Sequence, residues 1–254
     1  MKIWGDFHTH TLYSHGSGTI KDNVEAAIKA GLSAVGISEH GPSNWFMGPR
    51  VSDFDKMREE VDKLKEIYNN INIYLGCEAN IVSLDGRLDI PEKVLEKLDY
   101  VMAGLHPMVW PKSFKDGVAL IIDNILSKQS NNFKIRALEQ NTTALIKAIE
   151  NYNINVITHP GLHLAIDTAA LAEAAAKAGT ALEINAGHSY MTEEYVKIAK
   201  SFGVKFVIGS DAHNPKDVGN FEKGIYIAER AGLTTDDVIN AKPIGSPEPL
   251  TVGY

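Results

Sequence analysis

Short apolar runs that end in imidazole or carboxylate recur along this chain. The run over 2–8 leads through Asp6-Phe7-His8-Thr9-His10, that over 33–39 into Glu39-His40, and that over 71–78 ends Gly76-Cys77-Glu78. The run over 99–105 leads into His106-Pro107, 154–158 into His159-Pro160, and 204–209 into Ser210-Asp211-Ala212-His213. With His15, shortly after the first run, the set is seven histidines, Glu78 and Asp211. A single histidine is more often a satisfied core or loop residue than a ligand. Imidazole or carboxylate at six of seven strand ends is a pattern that independent placement of nine histidines would rarely produce. Imidazole and carboxylate without thiolate suit zinc, manganese or iron rather than a structural Cys-rich zinc site. Nine ligands exceed what one tetrahedral ion takes, so the set implies two or three ions sharing a carboxylate such as Glu78.

The rest of the sequence supplies the frame. With 180–185 included, seven β-branched or aliphatic runs read as buried parallel strands. Between them, 22–30, 53–68, 142–150, 168–178 and 192–202 show helical spacing, with Phe54, Met57, Val61, Leu64 and Ile67 along one face of the second. Thr142, Thr168 and Thr192 are candidate N-caps, and Gly31, Gly179 and Gly203 candidate helix stops. Pro91 opens a short helix over 91–98, and 114–136 is an ambiguous mixture of helix and loop. A last helix over 225–231 precedes an irregular tail over 242–254. Alternating strands and helices with right-handed crossovers give a parallel α/β fold, either an open sheet or a barrel. In both, active sites gather at the carboxyl edge of the strands, where these ligands fall. Residues two apart on a strand share a face, so His8 with His10, and Asp211 with His213, can point at one ion. No Pro/Gly/Ser-rich linker divides the chain, which reads as one domain over 1–254.

Composition narrows the classes. Apolar residues make up 44 % and charged residues 22 %, which excludes a disordered chain. The longest aliphatic run, 118–122, is far short of the ~20 residues of a bilayer span. The first residues lack the apolar stretch of a secretory signal, and the single cysteine, Cys77, cannot form an intramolecular disulfide; the expected compartment is the cytoplasm. A net charge of −7 disfavours nucleic acid as a partner. The chain has no Gly-x-Ser-x-Gly elbow, Walker loop or dinucleotide fingerprint.

Read in order, His8-Thr9-His10, Tyr13-Ser14-His15-Gly16-Ser17-Gly18, Ser38-Glu39-His40-Gly41-Pro42, Gly76-Cys77-Glu78-Ala79-Asn80, Gly104-Leu105-His106-Pro107, Thr158-His159-Pro160-Gly161, Leu182-Glu183-Ile184-Asn185 and Gly209-Ser210-Asp211-Ala212-His213 resemble the successive motifs of the polymerase and histidinol phosphatase (PHP) superfamily. The resemblance covers about residues 1–215 and is closest to the stand-alone phosphatases with three zinc ions. It implies a distorted seven-stranded (β/α) TIM-like barrel. It also implies that His8, His10, Glu78 and Asp211 hold one ion, His15, His40 and His213 a second, and Glu78, His106 and His159 a third. The family's second motif usually has Asp before its histidine; Glu39 stands there in this chain.

The expected activity is hydrolysis of a small phosphomonoester, with Glu78, Asp211 and Arg50 as candidate catalytic residues. Three divalent ions with two ionised carboxylates leave about +4 in the site, an attractor for a phosphate dianion. Metal lowers the pKa of bound water to about 7, which supplies hydroxide for in-line attack. Arg50 could grip phosphate bidentately, although a solvated loop position fits it equally well. Trp45, Phe46 and Trp110 sit in loops on the same edge, where packing of loop on barrel is favoured over walling the pocket or stacking on a base. His163 and His188 are alternative leaving-group acids, with an ordinary loop role favoured for each. Cys77 is expected to face the helices, Asn185 to orient water or make a structural hydrogen bond, and Asp6 to fix an imidazole. The alternatives are a phosphodiesterase or nuclease, a metal-dependent amide hydrolase, and a non-catalytic metal-binding interaction module. Association into a homo-oligomer is left open.

Overall fold

In chain order the strands of the computed structural model are β1 (Lys2–Ile3), β2 (Gly5–Asp6), β3 (Ala34–His40), β4 (Asn72–Asn80), β5 (Tyr100–Gly104), β6 (Val156–Ile157), β7 (Ala181–Asn185), β8 (Phe206–Gly209) and β9 (Ala241–Lys242). The structure describes residues 1–45, 47–188 and 191–245, so Phe46 and most of the tail lie outside the described residues. Strands β2 to β8 form one parallel sheet in sequential order. The first expected strand is in fact two, because β1 leaves to pair antiparallel with β9 while β2 opens the main sheet.

The helices are α1 (Ile20–Lys29), α2 (Asp53–Ile67), α3 (Glu92–Leu95), α4 (Phe114–Gly117), α5 (Asp123–Leu126), α6 (Asn131–Asn151), α7 (Thr168–Ala178), α8 (Glu193–Lys200) and α9 (Glu222–Arg230). The ambiguous 114–136 stretch resolves into α4, a π-helical turn (Val118–Ile122), α5 and the start of α6. Thr192 caps α8 as expected. Thr142 does not start a helix; it lies inside α6, where its hydroxyl donates to the Leu138 carbonyl at 2.7 Å and accepts the Asp167 N–H at 2.8 Å. Asp167 displaces Thr168 as the cap of α7 because its carboxylate accepts from both Ala169 and Ala170 N–H, each at 3.0 Å. Among the described residues, no helix is long and apolar enough to cross a membrane.

The sheet closes nearly into a barrel. At the carboxyl end the seam is made by backbone: Thr9 bridges Ala212, and the His10 N–H donates to the Ala212 carbonyl at 2.8 Å. At the other end a side chain fills the gap. Asn240 Nδ2 donates to the Gly5 and Ile208 carbonyls at 2.9 and 2.7 Å, and its Oδ1 accepts the Ile208 N–H at 3.0 Å. Below the strand ends, Trp4, Phe7, Ala34, Tyr100, Met102, Val156, Ala181 and Val207 form a hydrophobic cluster separate from the larger one between strands and helices. The Tyr100 hydroxyl crosses this floor to donate to the Phe7 carbonyl at 2.6 Å. Gly36 and Gly76 make room for it, since a Cβ at either would lie 2.2–2.3 Å from Tyr100 atoms. The apolar floor leaves the barrel's other end to polar side chains.

Candidate metal centre

Seven ligand-bearing segments converge at the carboxyl rim. His8 and His10 follow β2, His40 and Glu78 lie on β3 and β4, His106 and His159 follow β5 and β6, and Asp211 and His213 follow β8. His40 and Glu78 are register partners on neighbouring strands. The loop carrying His15 is pinned by the Gly16 N–H donating to the Thr11 carbonyl at 2.9 Å and the Ser17 N–H to the His213 carbonyl at 2.8 Å. Of the described non-glycine residues, His159 (φ 26°), His163 (φ 63°) and Asp211 (φ 55°) have positive φ. Two of these three are cage residues, a sign that the fold holds them against their backbone preference.

His8 Nε2 lies 3.4 Å from both Glu78 Oε2 and Asp211 Oδ1, and His10 Nε2 lies 3.2 Å from Asp211 Oδ1 and 3.6 Å from Glu78 Oε2. Tetrahedral zinc with bonds of about 2.0–2.1 Å places its ligand atoms about 3.3–3.4 Å apart, so the spacing of these four atoms fits one ion. Glu78 faces two ways. Its Oε2 is also 2.9 Å from His40 Nδ1, while Oε1 is 3.1 Å from His106 Nε2 and 2.7 Å from His159 Nε2. A third grouping joins His10, His40 and His213, whose ligand atoms lie within 4.8 Å of one another. The His15 ring lies 4.0 Å from that of His213 and stacks on His40 at 4.8 Å, nearly parallel.

The buried polar atoms test whether this cage suits metal. Both nitrogens of His10, His8 Nε2, His40 Nδ1, His213 Nε2 and Glu78 Oε2 are shielded from solvent and have no hydrogen-bond partner among the described residues. His40 Nδ1 and Glu78 Oε2 are close but not aligned for a hydrogen bond. So many orphaned atoms facing one another would be costly in an apolar core and are natural for groups that share cations. The residues present fit a polynuclear metal site.

The surrounding side chains set the tautomers. His8 Nδ1 donates to Glu183 Oε1 at 2.6 Å, which turns Nε2 inward. The other Glu183 oxygen accepts the His159 N–H at 2.8 Å and Asn185 Nδ2 at 3.1 Å. Asn185 Nδ2 also donates to Asp211 Oδ2 at 3.0 Å. His213 Nδ1 donates to the Asp211 carbonyl at 2.8 Å. Burial pushes the Glu78 carboxyl up, but the imidazoles of His8, His106, His40 and His159 outweigh it and hold it well below the usual range. Burial likewise works against ionised Asp211, yet His8 and His10 hold its pKa well down. Burial, with His213 and His40 alongside, lowers His15 to about 4. The two cage carboxylates are therefore charged and His15 neutral at neutral pH, the forms in which these groups ligate metal.

Other residues fall outside the cage. Arg50 is exposed, and its backbone N–H donates to Asp53 at 3.0 Å. Asp6 does not fix an imidazole. Its carboxylate accepts backbone N–H groups of Gly219 (2.9 Å), Ser210 (3.2 Å) and His8 (3.4 Å), because Phe7 takes the inward place in the floor. Cys77 is buried in the cluster between strands and helices, as expected. His163 is exposed, and His188 stands half-exposed with Nε2 3.4 Å from Asp211 Oδ2. Glu39 accepts from the Thr11 N–H at 2.8 Å and from the Thr11 and Ser14 hydroxyls, which ties the His15 loop to β3. Sequence reasoning gave no role to Glu183. The available signal was an acidic residue inside an otherwise apolar strand, two residues before Asn185.

Comparison with known proteins agrees with this geometry. The PHP domain family matches residues 6–191. A probable phosphatase of Thermoanaerobacter sp. (strain X514) is 34 % identical over 257 residues, covering 94 % of this chain and 91 % of that protein. A probable phosphatase of Shewanella frigidimarina is 34 % identical over 254 residues, covering 96 % and 91 %. Among solved structures, the histidinol phosphate phosphatase of Lactococcus lactis, complexed with zinc, L-histidinol and phosphate, superposes with a TM-score of 0.63 at 16 % identity, covering 92 % of this chain and 95 % of that one.

Proposed function

Since this chain belongs to the PHP domain family, we propose that it is a metal-dependent phosphatase that hydrolyses a small phosphomonoester at a trinuclear centre. His8, His10, Glu78 and Asp211 would hold one ion, His15, His40 and His213 a second, and Glu78, His106 and His159 a third. A donor set of imidazole and carboxylate without thiolate suits zinc, manganese or iron, and the resemblance to three-zinc phosphatases makes zinc the first candidate. Ions bound there supply Lewis acidity toward phosphoryl oxygens and activation of water.

The chain's own residues do the positioning. Glu78 spans two clusters and sets their spacing through its two oxygens. Glu183 holds His8 in the tautomer that faces inward and steadies His159 through its backbone. Asn185 holds one Asp211 oxygen and leaves the other toward His8 and His10. Arg50, exposed after β3, is the candidate cation for the outer phosphate oxygens.

The observation that carries this reading is the approach of both His8 Nε2 and His10 Nε2 to Glu78 Oε2 and Asp211 Oδ1 at 3.2–3.6 Å. Its test is phosphate release from p-nitrophenyl phosphate by protein as purified, after chelation, and after return of zinc. Chelation is expected to abolish release and zinc to restore it; equal rates in all three states contradict the reading.

A further inference from the structure

The rim carries a feature that metal chemistry does not need. The segments after β3 and β5 extend beyond the barrel and pair as a short antiparallel ribbon, with Asn44 bridging Val109. The Trp45 N–H donates to the Met108 carbonyl and the Trp110 N–H to the Ser43 carbonyl, both at 2.9 Å. The ribbon has two unlike faces. Asn44 and Val109 are 7 % and 3 % exposed, whereas Met108 and Trp110 are 48 % and 66 % exposed. The Trp45 and Trp110 rings lie 5.2 Å apart, tilted by 45°, so Trp110 is braced by a second indole. Asp89 stiffens the base by accepting the Ser43 N–H at 2.7 Å and Asn80 Nδ2 at 2.7 Å.

Placement ties this surface to the cage. Trp110 is four residues beyond His106, and so lies no more than about 14 Å from it even along a fully extended chain. The His40 and His106 rings at the roots of the two segments are 5.2 Å apart. Segments 41–49 and 106–111 contain no Lys, Arg, Asp or Glu, and exposed Arg50 and Lys112 stand directly after them. A rigid, exposed indole costs little ordering entropy when a flat ring stacks on it.

Resting on the phosphatase reading above, we infer that Trp110, braced by Trp45, is a stacking platform for the leaving-group half of the substrate, which makes that substrate class a phosphomonoester with a planar ring. The ceiling of about 14 Å between Trp110 and His106 is of the order of the length of an extended nucleoside monophosphate, so a phosphate at the cage leaves its base a reach comparable with that separation. It selects against esters of open-chain polyols, which offer no π-face.

The test compares adenosine 5′-monophosphate with glycerol 3-phosphate on the zinc-loaded protein. Trp110→Ala is expected to raise KM for the nucleotide about tenfold and leave KM for glycerol 3-phosphate unchanged. Trp110→Phe, which keeps a ring, is expected to retain most of the nucleotide preference. Equal shifts on both esters overturn the proposal. A second readout needs no turnover: adenosine is expected to quench tryptophan emission of the wild-type protein and to lose that effect in Trp110→Phe. Absent quenching, or quenching that survives Trp110→Phe, overturns the platform even if the protein proves a phosphatase. Quenching without phosphate release from any ester would instead retire the phosphatase reading and leave the platform standing.

Discussion

Glu183 and His8, 175 residues apart in the chain, are joined by a 2.6 Å hydrogen bond at the centre of the barrel. The bond fixes which imidazole nitrogen faces Glu78 and Asp211, and the second Glu183 oxygen steadies His159 across the cage. Partners of this kind to metal-ligating histidines typically account for 10- to 100-fold in metal affinity or activity. Glu183→Gln, which keeps shape but removes charge, is therefore expected to weaken zinc retention or phosphate release by about 10- to 100-fold while the protein stays folded. Wild-type zinc retention and rate in that variant would remove Glu183 from the account.

Burial raises the Glu39 carboxyl to about 7, against hydrogen bonds from Ser14 and Thr11 that lower it. Its folded pKa thus lies above its ordinary value of 4.5, and the folded state binds this proton more tightly. Its contribution to stability is greatest below that ordinary value and declines as pH rises toward 7. Glu39→Gln removes the titration, so the metal-free variant is expected to gain on the metal-free wild type by about 2–3 kcal/mol between pH 4.5 and pH 7. Parallel stability curves for the two proteins across that range, measured by denaturant unfolding, would contradict this.

Asn240 stands in for backbone at the seam between β2 and β8. Asn240→Ala would strand the Gly5 carbonyl and both backbone groups of Ile208 in a buried position. The expected loss is about 2–4 kcal/mol of stability with little change in the denaturant slope. A loss under about 0.5 kcal/mol would mean the seam closes without it.

Much of this was readable in the residues themselves. The seven strand runs stand out because parallel strands covered on both sides are apolar throughout, and their ends stand out because histidine is scarce elsewhere. Sequential strands make β3 and β4 neighbours, and placing His40 and Glu78 both at strand ends brings them to the same level. Less visible was the break at Trp4, since a strand that changes partner keeps the same apolar pattern. Asp6 was misread for a related reason: alternation predicts its face only while the strand is regular, and regular pairing stops there. The Thr142 cap failed because a threonine can satisfy its hydroxyl inside a helix as well as at its start. Glu183 and Asn240 act through partners far away in sequence, so local pattern can mark Glu183 as an acidic residue in an apolar strand but not name what it bonds to.

The central claim is that the cage holds several cations, and metal content tests it most directly. After zinc loading and removal of free metal, elemental analysis is expected to find about three ions per chain, and fewer in Glu78→Gln because that carboxylate serves two clusters. Folded protein that retains no divalent metal after loading would contradict the account.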